Sequence, residues 1–394
     1  MADAQMAFVQ TAPPPLARLS AFSPGYGRHR LVGFGIFFPA AALFALLLVL
    51  PFLSGLPAWA RLPPVWHATE AVFGYGGAVL AGFVLSAMPN WTGRPLPAGR
   101  VVLALFALWL MGRIAMIAAA LSGASAIAFA DLALPLGLLL FAARETLVSG
   151  NRRTRKIAIV LALFCAARPL AQMGAETGLR LAVTAQMTLI MLIAGRMIPV
   201  FTASALGNAA RPIPRFSKFD AIAIIAAVIA LLLWALVPAQ QATALPLTLA
   251  AILQAIRLCR WRGHLAMRHP AIASLHLAYG FIPLGFGLSA LALVRPDIVD
   301  PGASLHAFTI GAMGTVSLAI MIRTIEGWIG APWFSALANS VIPGCAALSA
   351  CLRIAYGFYP DMLALQLSGL FWITAFSVFL VLYGPLLTKT ARTE

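Results

Sequence analysis

Long apolar runs, broken by short polar stretches carrying Pro, Gly and Arg, repeat along almost the whole chain. They fall near 31–53, 66–88, 101–121, 124–143, 156–174, 179–204, 220–238, 241–258, 270–293, 303–323, 337–355 and 362–387. A helix rises 1.5 Å per residue, so about twenty apolar residues cross the ~30 Å hydrocarbon core of a bilayer. The breaks carry residues that end helices, as in Pro63–Pro64, Arg94–Pro95–Leu96–Pro97, Arg211–Pro212–Ile213–Pro214 and Arg295–Pro296. The pattern predicts an all-α polytopic membrane protein of about twelve transmembrane helices. No break exceeds roughly fifteen residues, so the reading is one helical domain over 31–387 between short tails, 1–30 and 388–394.

Composition agrees. Of 394 residues, 62% are hydrophobic and 10% charged, against roughly 25% charged in a soluble domain. Membrane lipid is therefore the first partner. The net charge of +16 points to topology rather than nucleic acid, since no soluble basic domain exists to carry such binding. With the N-terminus inside, 20 of the 27 Lys and Arg residues lie on the cytoplasmic side and 4 on the other, with 3 inside spans. This positive-inside bias predicts both termini in the cytoplasm and a multi-pass protein of a bacterial inner membrane. Trp59, Trp66 and Tyr359 flank the outward ends as interfacial aromatics do. The first thirty residues show no secretory pattern, because Pro13, Pro14 and Pro15 interrupt them. The four cysteines have no CxxC spacing and suit packing.

Ionisable residues inside spans are costly, so each invites a functional reading. Arg113 and Asp131 sit at similar depth on either side of the Ser122–Gly123 turn, which favours a structural ion pair; the alternative is that Arg113 reaches an anionic ligand such as a haem propionate. His67 and Glu70 open the second span with i, i+3 spacing on one face, so the carboxylate could fix the imidazole tautomer. Below them Gly74, Ala78 and Gly82 form a stripe suited to close helix packing, or to a flat face for a planar macrocycle. His306 opens the tenth span at the same outward level, followed by Gly311 and Gly314. Two imidazoles from two helices at one depth are what a bis-histidine haem b requires. His276 lies deeper, about two turns from the cytoplasmic end of the ninth span, and could ligate a second centre, relay protons or bond across the bundle. His29, His264 and His269 lie among cytoplasmic basic residues and read as solvated. There is no Walker sequence, Rossmann fingerprint, HExxH or CxxCH.

Four segments resemble, in order, the motifs of the NnrS family: Trp66–Arg100 (WHATEAVFGYGGAVLAGFVLSAMPNWTGRPLPAGR), Gly195–Thr202 (GRMIPVFT), Ser274–Gly285 (SLHLAYGFIPLG) and His306–Thr324 (HAFTIGAMGTVSLAIMIRT). The resemblance spans nearly the whole chain. It implies a bacterial multi-span haem protein, with copper also associated, that acts in nitric oxide metabolism or resistance to nitrosative stress. By that resemblance His67, Glu70, His276 and His306 fall on the family's polar positions. Asn90 to Arg94 match its loop motif, and Arg196 and Arg323 match its arginines. Two departures stand out. Thr69 replaces a second histidine of the second-span motif, which puts a copper or second haem centre there in doubt. Gly35, Ile36, Phe37 and Phe38 replace an Arg-Pro start to the paired phenylalanines of the first span. The helix plan also resembles haem-copper oxidases, with histidines on spans two and ten, but spans six and seven hold no histidine for the oxidase copper site.

The cofactor expectation is haem b, with copper open, and the ligand expectation is nitric oxide or another small diatomic; the electron donor is not legible. Two other functions compete. A twelve-helix secondary transporter would show six-plus-six repeats and a long central loop, and neither is evident. A haem- or metal-handling assembly factor would bind its cofactor transiently.

Overall fold

The structure is a computed structural model that describes residues 32–54, 62, 64–174, 176–207, 213–238, 240–329 and 336–389. The predicted N-terminal tail, the last residues of the C-terminal tail, His29 and Trp59 lie outside the described residues. The described chain is helical, with no strand among the described residues.

Among the described residues twelve helices follow one another: α1 Gly33–Ser54, α2 Val65–Thr92, α3 Gly99–Ser122, α4 Ser125–Ser149, α5 Arg152–Gln172 and α6 Glu176–Leu206. The second half holds α7 Lys218–Leu236, α8 Gln241–Arg260, α9 Pro270–Val294, α10 Pro301–Trp328, α11 Ala336–Tyr356 and α12 Met362–Lys389. Eleven are long and apolar enough to cross a membrane. The remaining one, α5, begins with Arg152, Arg153, Arg155 and Lys156 and carries Arg168 near its far end, so charge masks its apolar middle. It packs between α4 and α6 like any other span.

The boundaries follow local chemistry. Gly93, Gly123 and Gly150 end α2, α3 and α4 at φ of 71°, 74° and 64°, a left-handed conformation that glycine adopts without a Cβ penalty. Ser217 and Asp220 form a reciprocal capping box on α7. Asp300 caps α10, its side chain accepting from the Gly302 N–H, and Pro301 follows at the first helical position. Prolines 89, 169, 199, 283, 343 and 385 lie inside helices, which a helical membrane bundle accommodates.

Consecutive helices pack side by side, and α12 returns to α1, closing the bundle. The outer surface is apolar: Leu43, Leu140, Ile159, Ile222, Leu245 and Val381 are exposed. Glu70, Arg113, Asp131, Arg168 and Arg257 are buried inside it. That inversion is what a lipid solvent imposes. The spans α2 and α10, which carry His67 and His306, are the most deeply buried of the set.

Candidate functional site

Both histidine-bearing spans depart from α-helical register immediately beyond their histidines. In α2, residues Glu70–Tyr75 form a π-helical stretch; in α10, Ala307–Gly314 do the same. Such stretches are rare and concentrate at functional sites. A widened turn leaves carbonyls in need of donors, and neighbouring spans supply them. Gln186 of α6 donates through Nε2 to the Val72 carbonyl at 2.8 Å, and Trp109 of α3 donates to the Gly74 carbonyl at 2.9 Å. In α10 the donor comes from the same helix, the Ser317 hydroxyl donating to the Met313 carbonyl at 2.5 Å.

Each histidine is held through Nδ1 by a backbone carbonyl: His67 by Leu48 of α1 at 3.2 Å, and His306 by Gly302, one turn earlier on its own helix, at 2.6 Å. A carbonyl can only accept, so Nδ1 carries the proton in both rings and Nε2 is the lone-pair nitrogen. Both side chains are half-buried. The two imidazoles lie within electrostatic reach of each other, and Arg353 of α11 acts on both. Arg353 also stacks its guanidinium over Tyr356 at 4.9 Å and feels Asp300. Next to His67, Trp66 buries its indole N–H with no hydrogen-bond partner among the described residues. Trp66 entered the sequence reading as an interfacial aromatic preceding His67, and Arg353 was missed. The nearness of Arg353 to the histidines comes from α11 packing against α10, which no local pattern records.

Glu70 does not orient His67. Its carboxylate is fully buried and accepts from Arg113, and the Leu48 carbonyl takes the tautomer-fixing part instead. Arg113 also bonds Asp131, which matches the ion pair expected from the shared turn. The pair proves to be half of a quartet, because Arg168 donates through Nε to the other Asp131 oxygen at 2.5 Å. Two carboxylates and two guanidiniums thus neutralise one another among α2, α3, α4 and α5. Arg168 further reaches Met116 Sδ, the Ala128 carbonyl and Gln172 Oε1 at 2.9, 3.4 and 3.1 Å. Sequence reasoning missed this partner, although the tight Gly150 turn between α4 and α5 sets Arg168 and Asp131 at similar distances on either side of it and could have revealed it.

The small-residue stripe is packed rather than open. A Cβ on Gly74 would lie 2.5 Å from Arg113 Nη1 and 2.8 Å from Glu70 Oε2. One on Gly82 would meet Phe38 at 2.7 Å, and Phe281 and Trp372 occupy the corresponding spaces at Gly311 and Gly314. These glycines seat neighbouring side chains, which is the close-packing reading of the stripe; the flat face for a macrocycle is not what the structure forms.

His276 belongs to another region. Its Nε2 bonds Thr202 Oγ1 of α6 at 2.8 Å, and its ring lies edge-on to Trp261. The Thr202 hydroxyl donates to the Ile198 carbonyl at 2.7 Å, so the imidazole is the donor to Thr202. A Cβ on Gly263 would run into the His276 ring, so the α8–α9 connection sits directly on it. Close by, Arg257, at the cytoplasmic end of the predicted span 241–258, is completely buried. It bonds Asp220 at 3.0 Å, the Tyr279 hydroxyl at 2.7 Å and the Met191 carbonyl at 3.2 Å, and Gly195 leaves room for it. Arg196 stacks on Phe216 at 4.5 Å and Arg323 on Phe201 at 5.1 Å, both apart from the histidine pair. The Asn90–Arg94 loop is an anchor: the Trp91 carbonyl accepts from Asn151 at 2.5 Å, and Arg94 pairs with Glu145 at 2.5 Å.

A sequence model of the NnrS protein family matches residues 30–390, nearly the full length. The chain belongs to the NnrS family. The NnrS match therefore covers all twelve helices and both histidine spans together. No curated protein and no solved structure matches the chain. The likeness to haem-copper oxidases thus rests on the placement of the histidines alone.

Proposed function

We propose that this NnrS family member is a membrane protein holding one b-type haem between His67 and His306, and that it acts on nitric oxide in the bilayer. The observation that carries the reading is the matched pair of tautomers. Two imidazoles from two buried spans lie within electrostatic reach of each other, each hydrogen-bonded through Nδ1 to a carbonyl so that Nε2 would be the ligating atom. A porphyrin supplies four nitrogen ligands of its own, so two histidines complete it.

The residues present fit haem better than a protein-built copper centre. Among the described residues, no group of three or more His, Cys, Asp and Glu side chains stands together, and Thr69 occupies the position where the family carries its second histidine. Arg353 and the unpaired Trp66 N–H are the cationic and donor groups at that end for the carboxylates of a haem.

A bound haem would supply an iron able to take up nitric oxide, with His67 and His306 as the residues that would hold it. The chain itself sets which histidine is the more firmly fixed. His306 is held within its own helix at 2.6 Å, whereas His67 depends on a longer bond to another helix, α1. His67 would accordingly be the less firmly positioned of the two. The apolar surroundings exclude water while admitting an apolar diatomic from the lipid. The buried ion quartet, neutral as a set, keeps α2 in place beneath His67 without adding net charge.

A reduced-minus-oxidised spectrum of the purified full-length protein, produced with ample haem, tests the reading. A b-type signal that shifts on adding nitric oxide to the reduced protein supports it. Absence of b-type haem would remove it.

A further inference from the structure

Three neighbouring spans, α3, α4 and α5, each present one exposed apolar stripe: Leu103 and Leu110 on α3, Leu140 and Leu147 on α4, Ile159 and Leu170 on α5. The stripes carry exposed cations at the end of the bundle that the charge bias assigns to the cytoplasm. Arg100 extends the α3 stripe, Arg144 lies within the α4 stripe between Leu140 and Leu147, and Arg152, Arg155 and Lys156 extend that of α5. Steps of three, four and seven residues keep each cation on the apolar face of its own helix. The tight Gly150 turn joins α4 to α5, so Arg144, six residues before it, and Lys156, six after it, share one depth. Since α4 packs against both α3 and α5, the three cationic ends lie side by side.

Little in the protein neutralises this corner. Glu145 is its only carboxylate among the described residues, and both its oxygens are taken, Oε2 by Arg94 Nε at 2.5 Å and Oε1 by Arg144 Nη1 at 2.6 Å. The side chains of Arg100, Arg152, Arg155 and Lys156 make no hydrogen bond or ion pair with the described residues. Cations at the same end of α6 and α8 are differently placed: Arg196 stacks on Phe216, Arg260 stacks on Phe219, and Arg257 bonds Asp220. A partner for the α3–α5 corner must therefore be anionic. It must also be amphipathic, because Leu147, 82% exposed, and Val148, 58% exposed, adjoin the cations. A free anion would leave those apolar surfaces uncovered, whereas a phospholipid sets its phosphodiester against the cations and its acyl chains along the stripes. One phosphodiester carries one negative charge, and four unpaired cations beside Arg144 are better matched by two.

We infer that the α3–α5 corner is a binding site for an anionic phospholipid with two phosphodiesters, of the cardiolipin type, taken from the cytoplasmic leaflet. Arg100, Arg144, Arg152, Arg155 and Lys156 meet the headgroup, and the acyl chains run past Leu140 and Ile159. Clustered cations on the cytoplasmic side of neighbouring spans suit such a headgroup, and guanidiniums bind phosphate oxygens in pairs. The site is independent of the histidine pair and stands whether or not His67 and His306 hold a haem.

Native mass spectrometry of the delipidated full-length protein, titrated with one lipid at a time, tests the site. Tetraoleoyl cardiolipin should bind at least roughly tenfold more tightly than dioleoyl phosphatidylglycerol or dioleoyl phosphatidylethanolamine. A cation near an anionic lipid surface is worth about fivefold in affinity. The triple variant Arg152→Gln, Arg155→Gln, Lys156→Gln should therefore weaken cardiolipin roughly hundredfold. The control Arg215→Gln with Lys218→Gln removes two exposed cations beside the start of α7 and should leave cardiolipin binding unchanged. Millimolar inorganic phosphate should not displace the lipid. Should the triple variant fail to fold, the ranking of the three lipids on the unaltered protein decides. Equal affinity for cardiolipin and either other lipid, an equal loss per charge in the control, or displacement by inorganic phosphate would overturn the inference.

Discussion

The buried ion quartet lends itself to a quantitative test through Asp131→Asn. Asp131 is 1% exposed and accepts from both Arg113 and Arg168, while Glu70 shares Arg113. The substitution keeps shape and removes the charge, leaving two guanidiniums facing one carboxylate. Charges about 4 Å apart interact by about 4 kcal/mol at an effective dielectric of 20, and breaking a buried pair from one side costs about 3–5 kcal/mol. We therefore expect Asp131→Asn to lower stability by about 3–5 kcal/mol, a change of roughly two to three and a half orders of magnitude in the folding equilibrium. Reversible unfolding in mixed micelles by SDS titration, followed by circular dichroism, reads this directly. The double variant Asp131→Asn with Arg168→Met leaves the Glu70–Arg113 pair balanced and should recover at least half of the loss, a coupling that a double-mutant cycle isolates. Asp131→Asn within about 0.5 kcal/mol of the parent, or strictly additive losses in the double variant, would show that the quartet does not behave as one neutral unit.

Other outcomes follow from single contacts. Gly74→Ala places a Cβ 2.5 Å from Arg113 Nη1 and 2.6 Å from Phe44, so it should cost about 1–3 kcal/mol; Gly77→Ala, with its nearest neighbour at 3.6 Å, should be tolerated, and equal melting temperatures for the two would refute the packing argument. His276→Ala should leave any haem spectrum in place while costing about 1–3 kcal/mol, because Thr202 loses its donor and the Trp261 edge contact goes; loss of the haem signal would return His276 to the ligand set. Glu145→Gln removes the charge of a buried carboxylate that pairs with the partly exposed Arg94 and the exposed Arg144, and should lower stability by about 1–3 kcal/mol, checked by the same micelle titration.

Much of the architecture was written in the one-dimensional pattern. Twenty-residue apolar runs gave the span order, and glycines at the ends of α2, α3 and α4 marked the turns. The α5 span was legible as the run 156–174 despite its basic start, but not that the charge of Arg168 inside it is met by Asp131 of a neighbour. The Arg113–Asp131 pair was readable because a tight turn fixes the relative depth of α3 and α4. The Glu70–Arg113 bond was not, since it joins helices that are consecutive in sequence but related by a Pro-rich loop of undetermined offset. Arg257, at the cytoplasmic end of the run 241–258, was not singled out because sequence cannot reveal that Asp220 and Tyr279 wait for it inside the bundle. The shared level of His67 and His306 followed from topology, whereas the carbonyls that set their tautomers, and the π-helical stretches beyond them, depend on backbone register, which hydropathy does not encode.

The most direct test of the account is the visible spectrum of the purified protein beside those of His67→Ala and His306→Ala. The account predicts a low-spin b-type signal in the parent at one haem per chain, lost or converted to high spin in each variant while both still insert into the membrane at normal levels. An unchanged signal in both variants, or a parent without haem, would contradict it.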